Sequence, residues 1–246
     1  MQQNYFKKTP TTVRINKYLA DKGISSRREA DKLVEGGLVL VNGKKAFTGQ
    51  QISPKDTVLV NKGEALPERK YLAYYKGRGI ITHSPAANET DIAKRLQEDY
   101  GLFDVYPVGR LDKDSEGLMI LTNDGRITGP LLDPEAGHEK VYEVEVDKAV
   151  NGVFLQKLEH GVRIERYRTK PATAVKHEKE KQRFTLTLIE GKKHQIRRMC
   201  AALGYQVRSL RRVRIMNIEL GGLKPNQYRK LQGAELKTFL DTLHIT

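Results

Sequence analysis

The N-terminal part of the chain has hydrophobic residues at helical spacing. They predict two short helices, with apolar stripes at Ile15, Tyr18 and Leu19 and then at Ala30, Leu33 and Val34. Ser26 followed by Glu29 is a capping-box pattern that marks the start of the second helix, and the glycine pair 36–37 marks its end. These patterns predict a pair of helices near the start of the chain.

Short apolar runs and turn signals follow the two helices. The run 38–41 leads into Asn42-Gly43, a strong signal for a two-residue hairpin, and residues 58–60 form another short run. We therefore expect a compact domain over residues 13–62. Residues 63–70 contain glycine and proline among polar residues and are expected to form a linker, and the polar residues 1–12 a disordered tail.

Residues 71–246 contain both kinds of hydrophobic pattern, the alternation typical of strands and the spacing typical of helices. Tyr142, Val144 and Val146 alternate with acidic residues, as in a half-buried strand, and residues 184–188 alternate in the same way. Helical spacing occurs at residues 153–160, 196–203 and 236–243. We therefore expect an α+β protein in which a small domain is joined to a larger one built on a mixed, largely antiparallel sheet.

An acidic turn separates two predicted strands in the middle of the chain. Residues 105–108 are typical of an extended segment, and the apolar run 118–121 of a strand covered on both faces. The turn between them contains Asp112. A carboxylate fixed at a strand end is reachable and is ionised at neutral pH, which suits a nucleophile. Aspartate is also common in glycine-bounded turns for its own backbone hydrogen bonds, and spacing alone leaves both interpretations open.

The charge balance favours a polyanionic partner. The chain of 246 residues carries 44 Lys and Arg against 30 Asp and Glu, a formal net charge of +14, which favours nucleic acid. An acidic membrane surface ranks below it, because no basic amphipathic helix stands alone and no apolar run approaches the roughly 18 residues needed to span a bilayer. The lone Cys200 and the polar N-terminus favour a cytoplasmic protein. His and Cys do not cluster at metal-ligand spacing, so no metal is expected.

Two segments carry much of the positive charge. On the predicted N-terminal helices the basic residues are Arg14, Lys17, Arg27, Arg28 and Lys32. Residues 192–214 contain eight basic residues and no acidic one, namely Lys192, Lys193, Arg197, Arg198, Arg208, Arg211, Arg212 and Arg214. Such residues often form a solvated face. Few acids are interleaved here, however, so contact with phosphates is the alternative interpretation.

Two residues are candidates for a role beside Asp112. Arg197 flanks the apolar stripe of its predicted helix, where an unpaired guanidinium is costly, and Asp112 is an attractive partner. A carbonyl at a sheet edge or solvent is the alternative. Tyr142 lies on the apolar face of a predicted strand, where tyrosine is more often part of the core than a platform for a ligand.

The N-terminal domain closely resembles an S4 RNA-binding domain. The resemblance rests on the segments Arg14-Ile15-Asn16-Lys17-Tyr18-Leu19 and Ser26-Arg27-Arg28-Glu29-Ala30. It implies that the basic helices bind RNA. The small domain would then hold the RNA while the larger domain acts on a nearby nucleotide.

The segments together resemble the bacterial pseudouridine synthases of the Rsu and large-subunit rRNA synthase family, which join an S4 domain to a catalytic domain. The central match is Gly109-Arg110-Leu111-Asp112 with Ser115-x-Gly117-Leu118, and the others are His138-Glu139-Lys140-x-Tyr142 and residues 191–199. The resemblance implies that a specific uridine of structured RNA is isomerised to pseudouridine without cofactor or metal. The expected target is 23S ribosomal RNA, and the alternatives are 16S rRNA and a tRNA anticodon arm.

The resemblance also implies residue roles. Asp112 would be the catalytic aspartate, Arg197 its charge partner, and Tyr142 the side chain that stacks on the target base. Arg110 would fill the space that the displaced base leaves. The basic residues expected to contact RNA are Arg14, Lys17, Arg27, Arg28, Lys32, Lys76, Arg110, Lys140, Lys193, Arg198, Arg212 and Arg214. The expected state is a monomer, with ribosomal RNA, pre-ribosomal particles or tRNA as partners.

The chain departs from the family pattern in two places. The first family motif usually reads Asn-Lys-Pro-x-Gly, whereas this chain has Tyr75-Lys76-Gly77-Arg78-Gly79, which predicts a more flexible loop there. Gly129-Pro130 is unusual in the helix after the strand 118–121, although proline is tolerated in a first helical turn.

Two rival functions remain at this point. An RNA chaperone or assembly factor would need only the S4 domain and no reactive Asp112. A glycosidase-like enzyme would use Asp112 with Asp114 or Glu116, but two carboxylates so close in one turn do not suit attack on a sugar from opposite sides.

Overall fold

The computed structural model describes residues 12–25, 27–61, 68–82 and 90–245. The chain forms two compact units. The first consists of Met1–Arg69 with Asp124–Arg126, and the second of Lys70–Asn123 with Ile127–Thr246, in each case over the described residues. The predicted tail up to residue 11, the predicted helix cap at Ser26 and most of the predicted linker lie outside the described residues.

The first unit contains two helices and several short strands. Its elements are β1 (Val13–Arg14), α1 (Ile15–Asp21), α2 (Arg27–Glu35), β2 (Val39–Val41), β3 (Lys44–Lys45), β4 (Gln51–Ile52) and β5 (Val58–Val60). β1 pairs with β4, and β2 pairs with both β3 and β5, all antiparallel. Asn42 and Gly43, which join β2 to β3, have φ angles of 52° and 79°, the left-handed backbone that this kind of hairpin turn requires.

One apolar cluster holds the first unit together. It is formed by Ile15, Leu19, Ala30, Val34, Val39, Val41, Ala46 and Ile52, and Tyr18 and Leu33 pack against it. Removing these side chains from water stabilises the pairing of helices and sheet. The predicted apolar stripes, the end of the second helix before residues 36–37 and the hairpin turn are therefore confirmed.

The second unit contains the longer elements. They are β6 (Tyr71–Lys76), α3 (Ile92–Tyr100), β7 (Tyr106–Val108), β8 (Glu116–Thr122), α4 (Thr128–Leu132), β9 (Lys140–Val146), α5 (Gly152–Glu159), β10 (Arg163–Ile164), β11 (Tyr167–Arg168), β12 (Thr173–Lys176), β13 (Arg183–Leu188), α6 (Gln195–Ala202), β14 (Val207–Ile215), β15 (Ile218–Glu219), β16 (Tyr228–Lys230) and α7 (Gly233–Thr242). A 3-10 turn, Gly125–Ile127, precedes α4, and its first two residues fall in the first unit.

A mixed sheet forms the centre of the second unit. Its strand order is β12-β13-β9-β14-β8-β6-β16, with β15 paired to β14 and β7 paired to β8. β14 runs parallel to β8, and the other strand pairs of this sheet are antiparallel over the described residues. The expectation of an α+β fold with a largely antiparallel mixed sheet is confirmed.

Helices cover both faces of the half of the sheet that contains β8. Leu118, Met119, Ile120 and Leu121 have no exposed surface. Leu118 and Ile120 join the cluster that contains Phe239 of α7, whereas Met119 and Leu121 join the cluster that contains Leu96 of α3. The prediction of a strand covered on both faces is confirmed. β8 is therefore a rigid base for the turn that precedes it.

The other half of the sheet packs against α5 and α6. Tyr142, Val144 and Val146 of β9 share one cluster with Phe154 of α5 and Met199 of α6. Cys200 lies in the same cluster, and burial raises the pKa of its thiol to about 12, so it is an ordinary core residue. Among the helices of the described residues, none combines the length and apolar composition needed to cross a bilayer.

Candidate active site

The turn that carries Asp112 is the connection of a β-hairpin. β7 pairs antiparallel with β8, and residues 109–115, the Asp112 loop, join them. Gly117, the second residue of β8, has a φ of 110°, and a Cβ atom there would lie 2.3 Å from the backbone oxygen of Arg212. Only glycine accepts both the positive φ and this close approach of β14. The end of the loop is therefore fixed against the neighbouring parallel strand.

Lys76 supports the Asp112 loop from the interior. Its side chain has no exposed surface, and its Nζ donates to the backbone oxygens of Ser115 at 2.7 Å and Gly77 at 3.2 Å. The oxygen of Lys113 lies at 3.5 Å. Burial lowers the pKa of Lys76 to about 8, although Asp112 and Glu116 attract its charge. Lys76 is therefore still a cation at neutral pH and lies beneath the loop.

Two more side chains fix the loop from its sides. The Thr82 hydroxyl donates to the backbone oxygen of Leu111 at 2.8 Å and accepts from the Leu111 amide at 3.2 Å. Arg197, on α6, donates to the backbone oxygen of Asp114 at 3.1 Å and to the Ser115 hydroxyl at 3.4 Å. Its other terminal nitrogen donates to the backbone oxygen of Val207 at 3.3 Å. The loop backbone is thus held by contacts from three separate segments.

Asp112 faces His194 rather than Arg197. The Oδ2 atom of Asp112 lies 3.2 Å from Nδ1 of His194, and 30% of the Asp112 side chain is exposed. The described residues show no ion pair between Arg197 and Asp112. The expected pairing is therefore wrong for this structure, because the guanidinium is occupied by the loop carbonyl, the Ser115 hydroxyl and β14. The alternative partner considered for Arg197, a backbone carbonyl, is the one observed.

Asp112 lies in the wall of a cavity of about 680 Å³ in the second unit. A cavity of this size is typical of a small-molecule or nucleotide site. Its other charged or polar lining residues are Thr82, Arg110, Lys113, Ser115, Lys140, Tyr142, Glu190, Lys192, Lys193, His194, Gln195 and Arg212. Leu131, Leu132, Leu188, Ile196, Leu210 and Ile215 supply apolar surface. The cavity therefore combines apolar walls with an excess of cations.

Tyr142 and Lys140 face this cavity from the same side of β9. Tyr142 is 8% exposed and belongs to a core cluster as well as to the lining, so the core and cavity interpretations both hold for it. Lys140 Nζ donates to the backbone oxygen of His138 at 3.0 Å. Burial, and then the nearby Arg212 charge, lower the pKa of Lys140. A partly buried ammonium bonded to a carbonyl rather than to a carboxylate favours an anionic or carbonyl-bearing ligand.

A buried carboxylate organises the turn between β13 and α6. Glu190 is 4% exposed and accepts hydrogen bonds from the Tyr167 hydroxyl, from Gln195 Nε2 at 2.5 Å and from the Lys170 amide at 3.0 Å. Burial and the contact with Glu190 raise the pKa of Tyr167 to about 12. Lys192 Nζ lies 5.2 Å from the centre of the Tyr167 ring. These contacts hold the wall that contains His194.

Four of the basic residues predicted to contact RNA are either buried or paired with a glutamate. Lys76 is fully buried and cannot reach RNA. Arg212 is 5% exposed, and its Nε donates to the Leu118 backbone oxygen at 2.7 Å, so it is an internal cation of the cavity. Arg198 pairs with Glu165, and Arg214 with Glu139, in surface ion pairs. The predictions of direct phosphate contact are therefore wrong for Lys76 and unsupported for Arg212.

Apart from the partly buried Lys140, the other basic residues predicted to contact RNA are exposed to solvent. Arg14, Lys17, Arg27, Arg28 and Lys32 lie on the surface of the first unit, and Lys17 pairs with Asp21 at 3.0 Å. Arg110 and Lys193 are exposed at the cavity of the second unit. Exposure alone does not test contact with RNA, so these roles stay predictions. Groups of His, Cys, Asp or Glu able to hold a metal ion are absent from the described residues.

Sequence reasoning missed His194, Glu190 and Thr82 as parts of the site. His194 and Glu190 lie in or beside the segment 191–199 that carries the family resemblance, and that position was the signal that could have found them. The contacts of His194 and Glu190 depend on the backbone before α6, where His194 has a left-handed φ of 51°. No hydrophobic period predicts this conformation. Thr82 has no local pattern that distinguishes it.

A cationic cavity that presents a carboxylate beside an aromatic side chain suits an enzyme that acts on a nucleobase of RNA. Comparison with known proteins makes this class specific. Residues 70–202 match the RNA pseudouridylate synthase family, and residues 13–58 match the S4 domain. The chain belongs to the RNA pseudouridylate synthase family, and it is an isomerase that forms pseudouridine in RNA.

Several relatives span most of the chain. The "Dual-specificity RNA pseudouridine synthase RluF" of Escherichia coli (strain K12) is 39% identical over 235 residues, which cover 92% of this chain and 78% of that protein. The "Ribosomal large subunit pseudouridine synthase B" of Bacillus subtilis (strain 168) is 35% identical over 236 residues, which cover 91% and 94%. A crystal structure of a pseudouridylate synthase superposes with a TM-score of 0.67 at 28% identity and covers 94% of this chain and 99% of that one.

Proposed function

We propose that this enzyme converts a specific uridine of 23S ribosomal RNA into pseudouridine, with Asp112 as the nucleophile. The observation that carries the proposal is the position of the Asp112 carboxylate, in the wall of a cationic cavity of about 680 Å³ that Tyr142 also lines. The loop that holds Asp112 is braced by Lys76, Thr82 and Arg197. A braced carboxylate is held in place for attack, which lowers the entropic part of the barrier.

The reaction is an isomerisation that needs no oxidant. The N1–C1′ bond of uridine breaks, a C5–C1′ bond forms, the C5 proton is released and N1 gains a proton. Asp112 attacks either C1′ of the ribose or C6 of the base, and its carboxylate leaves again at the end. Tyr142 holds the base and assists removal of the C5 proton.

The energetics explain why basic surfaces are needed. A uridine in a helix must be flipped out before it can enter the cavity, which costs a few kcal/mol. Stacking on one aromatic side chain returns about 1–3 kcal/mol. These terms nearly cancel, so net affinity comes from phosphate contacts. The exposed basic residues of the first unit and of the cavity rim, such as Arg27, Lys32 and Lys193, are suited to supply them.

The names of relatives support the target. A relative 35% identical to this chain is named for the large ribosomal subunit, which favours 23S rRNA. Another is named as a dual-specificity enzyme, which supports a second RNA such as a tRNA anticodon arm, or 16S rRNA, as the alternative. We further propose that the enzyme acts as a monomer in the cytoplasm, on rRNA or on pre-ribosomal particles during ribosome assembly.

Mapping pseudouridines in total RNA tests the proposal. Cells that lack the gene should lose pseudouridine at one or a few sites of 23S rRNA. Wild-type protein should restore these sites, and Asp112→Asn should not. Loss of sites in tRNA alone would replace 23S rRNA by the alternative target. Restoration by Asp112→Asn would rule out Asp112 as the nucleophile. A non-catalytic assembly factor would instead leave the pseudouridine map unchanged.

A further inference from the structure

Two basic side chains lie next to Tyr142 on one face of the central sheet. In the pairing of β9 with β14, Arg212 lies directly opposite Tyr142, and Lys140 precedes Tyr142 by two residues on β9. Directly opposite residues of paired strands, and residues two apart on one strand, point to the same face of a sheet. All three residues line the cavity that contains Asp112. Lys140 and Arg212 therefore flank the side chain that we propose to hold the base.

Neither of these two cations is paired with a carboxylate. Arg212 is buried, its Nε donates to the Leu118 oxygen at 2.7 Å, and its Nη2 lies 3.2 Å from the sulfur of Met119. Lys140 Nζ donates to the backbone oxygen of His138 at 3.0 Å. Carbonyl and thioether groups accept hydrogen bonds but carry no negative charge. Among the residues that the structure describes, Lys140 and Arg212 therefore have no ion-pair partner.

This arrangement costs free energy until negative charge is brought to it. Burial, and then the Arg212 charge, lower the pKa of Lys140, and no carboxylate counteracts them. The two carboxylates in the cavity lining are engaged elsewhere, Asp112 beside His194 and Glu190 in its own buried hydrogen bonds. A buried charge without a counterion is costly, so the pair of cations favours a negatively charged state of the ligand.

We propose that Lys140 and Arg212 are catalytic residues that stabilise the negative charge developed on the uracil base during the reaction. If Asp112 attacks C1′, the N1–C1′ electron pair leaves with the base, and N1, O2 and O4 share the charge. If Asp112 attacks C6, the C5–C6 π electrons move towards O4. In both cases the charge disappears once C5 is bonded to C1′, the C5 proton is lost and N1 is protonated. This inference rests on the reaction proposed above.

The position of the two cations favours the base over a phosphate as the group that they contact. Both flank Tyr142, so they lie beside a base that is held on this ring. Arg110 and Lys193 are exposed at the same cavity and are better placed for phosphates. Fixed donors beside a developing charge act mainly on the transition state, and the loss of one such donor typically costs about 10²–10³-fold in rate.

Lys140→Met tests the proposed charge stabilisation. Methionine has a similar volume and removes a partly buried charge, so the melting temperature should be unchanged or raised. With a short 23S rRNA fragment that the wild type modifies, the single-turnover rate at saturating enzyme should fall by about 10²-fold. The Kd for the RNA and its salt dependence should stay at the wild-type values. Arg212→Gln, which removes the second charge and keeps an amide donor, should show the same pattern.

The matched control is Lys157→Met, which removes an exposed lysine of α5 and should keep the wild-type rate. A weaker Kd with a smaller salt dependence and a normal saturated rate in Lys140→Met would assign the cation to a phosphate and overturn the inference. Pseudouridine formed by Asp112→Asn on the same fragment would instead count against the proposed nucleophile.

A second substrate separates charge stabilisation from a displaced nucleophile. Fluorine at C5 withdraws electrons and stabilises the negatively charged base by itself, so 5-fluorouridine at the target position depends less on the two cations. The loss caused by Lys140→Met should therefore be about 10-fold smaller on this RNA than on the uridine fragment, because less transition-state stabilisation comes from the protein. Chromatography of the digested RNA follows consumption of the target nucleoside in both fragments. An equal loss on both, or a wild-type rate on uridine, would overturn the inference.

Discussion

The ammonium group of Lys76 lies 2.7 Å from the backbone oxygen of Ser115, with no part of the lysine exposed. A buried cation is costly unless its hydrogen bonds are satisfied. Here they are supplied mainly by carbonyl groups of the segments around the Asp112 loop, so the charge and the loop conformation depend on each other. Lys76 corresponds to the lysine of the family's Asn-Lys-Pro-x-Gly motif. It therefore supports the loop that carries Asp112, the candidate nucleophile.

Lys76→Met is expected to lower activity far more than stability. Methionine fills a similar volume and removes a buried charge, which offsets the lost hydrogen bonds in the free energy of unfolding. The loop loses its anchor, and misplacement of Asp112 should lower the single-turnover rate by about 10²-fold. Pseudouridine formation and urea unfolding measure the two effects. The control is the exposed neighbour in Arg78→Met, which should keep the wild-type rate at saturating enzyme. Full activity in Lys76→Met would show that the Asp112 loop keeps its conformation without Lys76.

Lys76 should also give stability a specific pH dependence. Its pKa is about 8 in the folded protein, against an ordinary value of 10.5 that we assign to the unfolded chain. Between these values the unfolded chain holds a proton that the folded chain has released, so the free energy of unfolding rises with pH, by at most about 3 kcal/mol. Below pH 8 both states are protonated and the contribution is constant. The difference in urea stability between wild type and Lys76→Met should therefore change between pH 8 and 10.5, in favour of the wild type. A constant difference would contradict the lowered pKa.

Local patterns predicted the fold, and the family resemblance added the expected location of the site. Leu118 to Leu121 form a continuous apolar run, and the structure buries all four residues. Such a run predicts a strand buried on both faces without any knowledge of its neighbours. Asp112 lies in the adjoining turn, and its catalytic role was indicated by the family resemblance rather than by its spacing. Lys76 could not be predicted in the same way, because an isolated lysine in a sequence is normally exposed. Its burial depends on carbonyl groups supplied by a loop 39 residues further along the chain.

The contacts of Arg197 and His194 depend on geometry that the sequence does not display. Helical phase placed Arg197 at the edge of the apolar stripe, and the structure confirms α6 there. Its hydrogen-bond partners are set by the path of the Asp112 loop. His194 has a φ of 51° and lies 3.2 Å from Asp112, and the adjoining Gln195 donates to the buried Glu190, an arrangement that no hydrophobic period predicts.

Gly117→Ala should destabilise the second unit strongly. A Cβ atom at this position would lie 2.3 Å from the Arg212 oxygen and 2.6 Å from its nitrogen, at a φ of 110°. Neither strand can shift easily, so we expect a loss of about 3 kcal/mol or more in the free energy of unfolding. Gly152→Ala at the start of α5, where nothing lies within 4 Å, is the matched control and should be neutral or slightly stabilising. Equal stability of the two variants would show that β14 is not held against Gly117.

RNA affinity should depend on salt through the exposed basic residues of the first unit. Each phosphate contact removed should lower the slope of log K against log salt by about 0.7–0.9. We expect Arg14→Gln, Arg27→Gln and Lys32→Gln each to weaken binding of a 23S rRNA fragment and to reduce this slope. Lys157→Gln and Lys237→Gln remove the same charge from positions on α5 and α7 and serve as controls. Equal slopes in both sets would assign the effect to net charge rather than to the first unit.

Arg197→Lys tests whether Arg197 acts through its hydrogen bonds to the Asp112 loop or only through its charge near Asp112. Lysine keeps the positive charge near Asp112 but cannot reach the Asp114 oxygen, the Ser115 hydroxyl and the Val207 oxygen at once, as the arginine does. If Arg197 acted only through its charge, Arg197→Lys would keep most of the activity. The observed contacts predict instead a loss of about 10²-fold in the single-turnover rate. Because Arg197 and Ser115 share a hydrogen bond, Ser115→Ala should cost less in the Arg197→Lys background than in the wild type. Additive losses would mean that the two residues act on Asp112 independently.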